Sequence, residues 1–102
     1  MEKNVKTQAE FDEAVASGKV LVDFWSPSCV PCMMMGEKIA AELVPVMPEL
    51  TVVKVNVDEA PEIAVSFGVM SIPALLCYKD GAKVAEFVGM TSCDELKAAF
   101  GA

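Results

Sequence analysis

Two cysteines, Cys29 and Cys32, stand either side of Val30-Pro31 in the stretch WSPSCVPC. A Cys-x-x-Cys pair can close a disulfide when the first residue sits at a helix start and the second lies one turn in. There the unpaired backbone N–H groups and the helix dipole favour a thiolate, so Cys29 is the expected nucleophile and Cys32 its resolving partner. Pro31 suits the first helical turn, where no N–H is needed, and stiffens the link between the sulfurs. The same spacing could be half of a zinc site. Zinc needs four ligands, however, and Cys77 and Cys93 are distant in sequence from each other and from the pair. Two unrelated buried thiols are the third reading, since cysteine packs as a small hydrophobe.

The rest of the inventory narrows the chemistry. The chain has no histidine, which excludes Ser–His and Cys–His dyads and His-ligated metals. Chemistry must therefore rest on cysteine, carboxylate or lysine, with no cofactor and no metal expected. All eight basic residues are lysines, against fifteen acidic ones, for a net charge of −7. An acidic chain without arginine repels polyanions and lacks the bidentate base contact, so nucleic acid is not an expected partner. The start, MEKNVKTQAEFDEAV, has no apolar targeting segment, and no run reaches the roughly 18 apolar residues of a membrane span. Four unevenly spaced cysteines do not make a secreted disulfide scaffold, so a soluble protein of the reducing cytoplasm is expected.

The elements that must position these residues follow from pattern. With 102 residues, 54 % of them apolar, the chain reads as a single domain over 1–102. Thr7 and Glu10 form a capping box ahead of Phe11, Ala14 and Val15, and that helix closes at Gly18. KVLVDFW is a strand buried on both faces, interrupted by Asp23. Helix-forming residues run from Cys32 to about Val44, with Ile39 and Leu43 four apart, Gly36 as a weak point, and Pro45 and Pro48 marking an end or kink. LTVVKVNV is a second strand, and DEAPEIAVSFG a short helix with Pro61 in its first turn and Gly68 as its stop. Two antiparallel strands flank Lys79-Asp80-Gly81, a strong hairpin signal. Ser92 and Glu95 form another capping box before a last helix carrying Leu96 and Phe100. Parallel β-α-β units followed by a hairpin and a helix give the α/β class, a mixed sheet covered by helices.

Five pieces then stand in register with one family. VDFW leading into C-x-P-C, VNVDEAP after a strand, SIP before the next, YKDG at the hairpin and FVGM after it resemble the thioredoxin family over nearly the whole chain. The resemblance implies the thioredoxin fold, a five-stranded mixed sheet flanked by four helices. It also implies thiol–disulfide exchange, in which Cys29 attacks a client disulfide and Cys32 releases the reduced client. Asp23 matches the family's buried aspartate, whose proposed role is proton acceptor for the second cysteine. Burial without Arg or His should raise its pKa, whereas an aspartate at a frayed strand end would titrate normally. Lys54 matches a lysine near that aspartate; the plainer reading is a solvated strand-edge charge. Pro73, after Ile72, matches a cis-proline facing the dithiol, where an extended client segment could pair with the backbone. Trp25, Val30, Met70, Ile72, Val88, Gly89 and Met90 fall where the resemblance places an apolar docking surface. Taken singly, each could be core or ordinary surface.

The resemblance further implies a thioredoxin reductase-type electron donor, disulfide-containing client proteins and a monomer. Pro31 favours the reducing direction by family analogy. A disulfide oxidant or isomerase of the same fold, a metal-binding module and a redox-silent docking module are the alternatives. Departures from the family are Ser28 for an aromatic residue, Val30 for glycine, Met33 for a cation and Glu37 for a proline. The missing cation removes one stabiliser of a Cys29 thiolate, while the Ser28 hydroxyl could donate to it. Met33-Met34-Met35 reads as helix surface plus core filler. Cys77 reads as core. Cys93, just past a helix cap, reads as a quiet surface thiol or else as a regulatory one of lowered pKa.

Overall fold

The computed structural model describes residues 1–101. Its elements run β1 (Glu2–Asn4), α1 (Gln8–Ala14), β2 (Lys19–Trp25), α2 (Val30–Lys38), β3 (Thr51–Asn56), α3 (Pro61–Ser66), β4 (Ala74–Lys79), β5 (Ala82–Val88) and α4 (Cys93–Ala99). The five strands form one mixed sheet in the order β1-β3-β2-β4-β5. β1 and β2 pair parallel with β3, and β4 pairs antiparallel with β2 and β5. The sheet and four α-helices match the fold that the resemblance implies.

β2 occupies the centre because almost all of it is apolar and buried, and its alternation divides the interior. Val20, Val22 and Phe24 join Phe11 of α1 and Ile63 of α3 in one core. Leu21 joins Met35 of α2, Ile39, Leu96 and Phe100 in the other. Asp23 and Trp25, two and four residues beyond Leu21, therefore project to the α2 side.

Local chemistry sets the ends of the elements. Thr7 Oγ1 accepts the Glu10 N–H while Glu10 Oε1 accepts the Thr7 N–H, so the capping box at α1 is complete. The box expected at α4 is half made: Ser92 Oγ accepts the Glu95 N–H, but no return bond from Glu95 forms. In the hairpin Asp80 and Gly81 both have positive φ, the requirement of a tight two-residue turn in register with twisted strands. Asp80 Oδ1 also accepts the Gly18 N–H at 2.8 Å, and Asp80 N–H donates to Gly18 O at 2.9 Å, which ties the hairpin to the end of the first helical segment.

Two departures from the sequence reading concern the backbone. β1 has no pattern of its own, since all three of its residues are exposed; it exists through pairing with Val52, Val53 and Lys54. The long helix expected over Cys32 to Val44 starts two residues earlier and is not uniform. After α2 the backbone widens into a π-helical turn over Ile39–Leu43 and then tightens into a 3-10 turn over Val44–Val46. The irregularity lies just ahead of Pro45, which has no N–H to continue the α-helical ladder. No described helix is long and apolar enough to cross a membrane.

Candidate active site

Cys29 is the N-cap of α2, and Cys29 and Cys32 are joined by a disulfide with their Cα atoms 5.2 Å apart. Cys29 Sγ accepts the Cys32 N–H at 3.2 Å, so a sulfur takes the place of the usual capping oxygen. Cys29 is half-buried and Cys32 is 1 % exposed, so the two cysteines differ in accessibility. Pro31 is in the first turn, where its missing N–H costs nothing.

Asp23 is 1 % exposed in the middle of β2 and not at a frayed end. Neither carboxylate oxygen has a hydrogen-bond partner among the described residues. Across the strand pair stands Lys54, whose Nζ is 3.7 Å from Asp23 Oδ2, an ion pair longer than a hydrogen bond. Burial pushes the Asp23 carboxyl up from 3.8 to about 6, and the Lys54 charge pulls against that rise. A cavity of about 190 Å³ borders both groups and is lined also by Ile39 and Ala40 of the π-helical turn and by Glu2 at the start of β1. That is well above the volume of about 15 Å³ that one water molecule needs.

Lys54 is not a solvated edge charge. Its side chain is 19 % exposed, and its ammonium lies 4.9 Å from the Trp25 ring centroid as well as beside Asp23. Gly36 makes room for it, because a Cβ at Gly36 would stand 3.2 Å from Lys54 Nζ. Gly36→Ala is therefore expected to push the ammonium back and raise the Asp23 pKa above about 6. An NMR titration of the Asp23 carboxyl checks this, and an unchanged value would mean that the lysine head keeps its distance by another route.

The other residues singled out in the sequence lie on β2, α2 and β5 and in the loops before β4 and after β5. The Ile72–Pro73 peptide is cis, and Pro73 O accepts the Gly89 N–H at 2.8 Å, joining the loop before β4 to the end of β5. Thr91 N–H donates to the buried Met35 Sδ at 3.5 Å, which holds the Gly89-Met90 segment against α2. Val30, Met70, Val88 and Met90 are exposed, Met70 almost completely. Ile72, Gly89 and Trp25 are half-buried. Of the methionine triplet, Met33 and Met34 are exposed and Met35 is core.

Several side chains differ from their sequence readings. Cys93 is not a surface thiol: it is 7 % exposed, its Sγ lies 3.8 Å from Lys38 O, and its pKa is raised, by burial first and by the Glu42 charge second. That is the reverse of what a low-pKa regulatory thiol needs. Cys77 is core, as read, and burial pushes its thiol up to about 11. Among the described residues no three His, Cys, Asp or Glu side chains converge as metal ligands would. Sequence reasoning passed over Ser26 and Asp58. Ser26 is 4 % exposed and donates to Asp58 Oδ2 at 2.7 Å. No local pattern announces a bond between residues 32 positions apart.

Comparison with known proteins agrees with this geometry. The family model described as Thioredoxin matches residues 2–102. A thioredoxin of Chlamydia muridarum is 42 % identical over 95 residues, covering 90 % of this chain and 89 % of that protein. A thioredoxin of Listeria monocytogenes is 44 % identical over 94 residues, covering 88 % and 87 %. Among solved structures, mitochondrial thioredoxin 3 of Saccharomyces cerevisiae in its oxidized form superposes with a TM-score of 0.87 at 27 % identity, over 98 % of this chain and 94 % of that one. The thioredoxin of Fasciola hepatica gives 0.85 at 26 % identity, over 97 % of each. A disulfide capping a helix can arise on many scaffolds. This one lies on a chain that superposes over nearly its whole length on solved thioredoxins and matches the family model over residues 2–102, so the chain belongs to the thioredoxin family and is a thiol–disulfide oxidoreductase that reduces protein disulfides.

Proposed function

We propose that Cys29 is the attacking thiol and Cys32 the resolving thiol, within a chain that acts as a single domain. The observation that carries this reading is the unequal exposure of the two cysteines, one at the helix cap and one within the first turn. The Cys29 thiolate displaces one sulfur of a client disulfide, forming a mixed disulfide and releasing a client thiolate. Cys32 then attacks Cys29 Sγ, breaking the mixed bond, closing the internal disulfide and releasing the second client sulfur. The Cys32 proton goes to Asp23, whose raised pKa makes it a base near neutral pH. Lys54 holds that pKa below the value that burial alone would impose.

The Ile72–Pro73 backbone receives an extended client segment, and Pro31 fixes the spacing of the sulfurs. The exposed side chains of Val30, Met70, Val88 and Met90, with Trp25, Ile72 and Gly89, form the apolar surface on which that segment docks. Family membership supports a thioredoxin reductase-type donor that returns two electrons to the pair, disulfide-bearing proteins as clients, and work in a reducing cytoplasm as a monomer.

A redox titration of the Cys29/Cys32 pair, coupled to turnover by candidate reductases, tests the direction. A potential toward the reducing end of the fold's range, about −270 mV, is expected. One near the oxidising end, about −120 mV, would make the protein an oxidant instead.

A further inference from the structure

Ser26 is the hub of a hydrogen-bond chain that the exchange steps above do not use. Its Oγ lies 2.7 Å from Asp58 Oδ2 and 3.0 Å from Ser28 Oγ, and it also accepts the Ser28 N–H at 3.3 Å. Its carbonyl accepts the Cys29 N–H at 3.1 Å. Asp58 is itself steadied, since its N–H donates to Asn56 Oδ1 at 2.9 Å. Ser26 and Ser28 thus link an acidic residue after β3 to the residue that precedes the nucleophile.

Proton counting gives this chain a direction. A carboxylate can only accept, and each serine has one hydroxyl proton. The Ser26 proton therefore goes to Asp58, and the Ser26 oxygen is left as an acceptor. At 3.0 Å the partner in that contact must be the Ser28 hydroxyl as donor. Ser28 has then spent its proton on Ser26 and has no O–H left for the Cys29 sulfur. A donor to a thiolate lowers the thiol pKa and stabilises the reduced pair, which raises its potential. Withholding the donor does the opposite.

We propose that Ser26 and Asp58 are positioning residues for Cys29: they fix the Ser28 hydroxyl away from the sulfur and so hold the dithiol toward the reducing end of its range. The proposal rests on Cys29 being the nucleophile.

The test uses the whole chain, fully reduced, and follows thiolate ultraviolet absorbance against pH and the potential of the pair against glutathione. Ser26→Ala and Asp58→Ala should each free Ser28 to turn to the sulfur and raise the Cys29 acid constant about tenfold, read as about tenfold more thiolate at pH well below the pKa and as a potential about 30 mV higher at pH well above it. Ser28→Ala alone should leave both unchanged. Adding Ser28→Ala to either variant should cancel its shift, which separates the effect from loss of the Asp58 charge, since a pure charge effect would persist without Ser28. A raised Cys29 pKa in Ser28→Ala alone would show that Ser28 already donates to sulfur and would overturn the proposal. Lower thermal stability in Ser26→Ala and Asp58→Ala with unshifted pKa and potential would overturn it too, leaving a structural link only. Asp58 is exposed, so its variant carries the test if Ser26→Ala does not fold. Alkylation of the reduced wild type reports separately on the premise: faster labelling of Cys32 than Cys29 would remove the nucleophile assignment itself, whatever the serine variants do.

Discussion

Cys29→Ser is expected to reduce the rate of disulfide reduction to the uncatalysed background, while Cys32→Ser should stop at a covalent mixed disulfide with the client. The two outcomes differ because the proposed mechanism gives the two sulfurs different work. Without Cys29 no sulfur at the helix cap can enter a client disulfide, and Cys32, 1 % exposed, is not reachable in its place. Without Cys32 the first bond still forms, but no neighbouring thiol breaks it, so protein and client stay joined until an outside thiol intervenes. Non-reducing gel mobility and mass spectrometry of each variant with a disulfide-bearing client check both halves. Turnover surviving Cys29→Ser would overturn the mechanism. A stable adduct with Cys29→Ser but not Cys32→Ser would exchange the two roles.

Asp23→Asn is expected to make the protein more stable and less active, with both effects dependent on pH. The folded-state pKa of about 6 exceeds the ordinary 3.8, so between these values the folded protein binds more protons than the unfolded chain. Stability then falls as pH rises through that window, and above about 6 the buried carboxylate costs the wild type about 3 kcal/mol. Asparagine has no charge to bury. The variant should melt at nearly the wild-type temperature below pH 3.8, and on the order of 10 °C higher at neutral pH. Release of client from the mixed disulfide should slow by about a hundredfold, the lower end of what a positioned base supplies. Its pH profile should lose the inflection near 6. Thermal melts across pH and single-turnover release kinetics measure the two effects. Equal melting temperatures at neutral pH would show that the carboxylate is solvated in solution.

The reactive pair and the strands were legible because their signals are local. Cys29, Pro31 and Cys32 lie within one helical turn, and KVLVDFW is too apolar to lie anywhere but the centre of a sheet. Asp23 was legible for the same reason, as the charged exception in that run. β1 was not, since three exposed residues carry no burial pattern and owe their conformation to β3. The π-helical turn was hidden because Ile39 and Leu43 keep ordinary helical spacing while the backbone ladder beneath them shifts. Gly36 reads in sequence as a weak helix position. What the residue does, clearing space for the Lys54 ammonium, depends on a strand eighteen positions later. Cys93 was misread because an N-cap suggests an exposed, acidic thiol. Its burial against the end of α2 decides the matter instead.

The order of the sheet leaves β1 and β5 at its rims, where unpaired backbone groups could template a second chain. β1 is three residues long and carries Glu2 and Lys3. β5 bears Lys83 and Glu86, paired at 2.9 Å, and is thrown out of even register by a bulge at Cys77/Tyr78. Neither rim is a long, flat, apolar ladder, so sheet-to-sheet aggregation has little to start from. A protein whose proposed work is to accept foreign extended segments beside Pro73 thus has charge and irregularity at the edges where such pairing would be an accident.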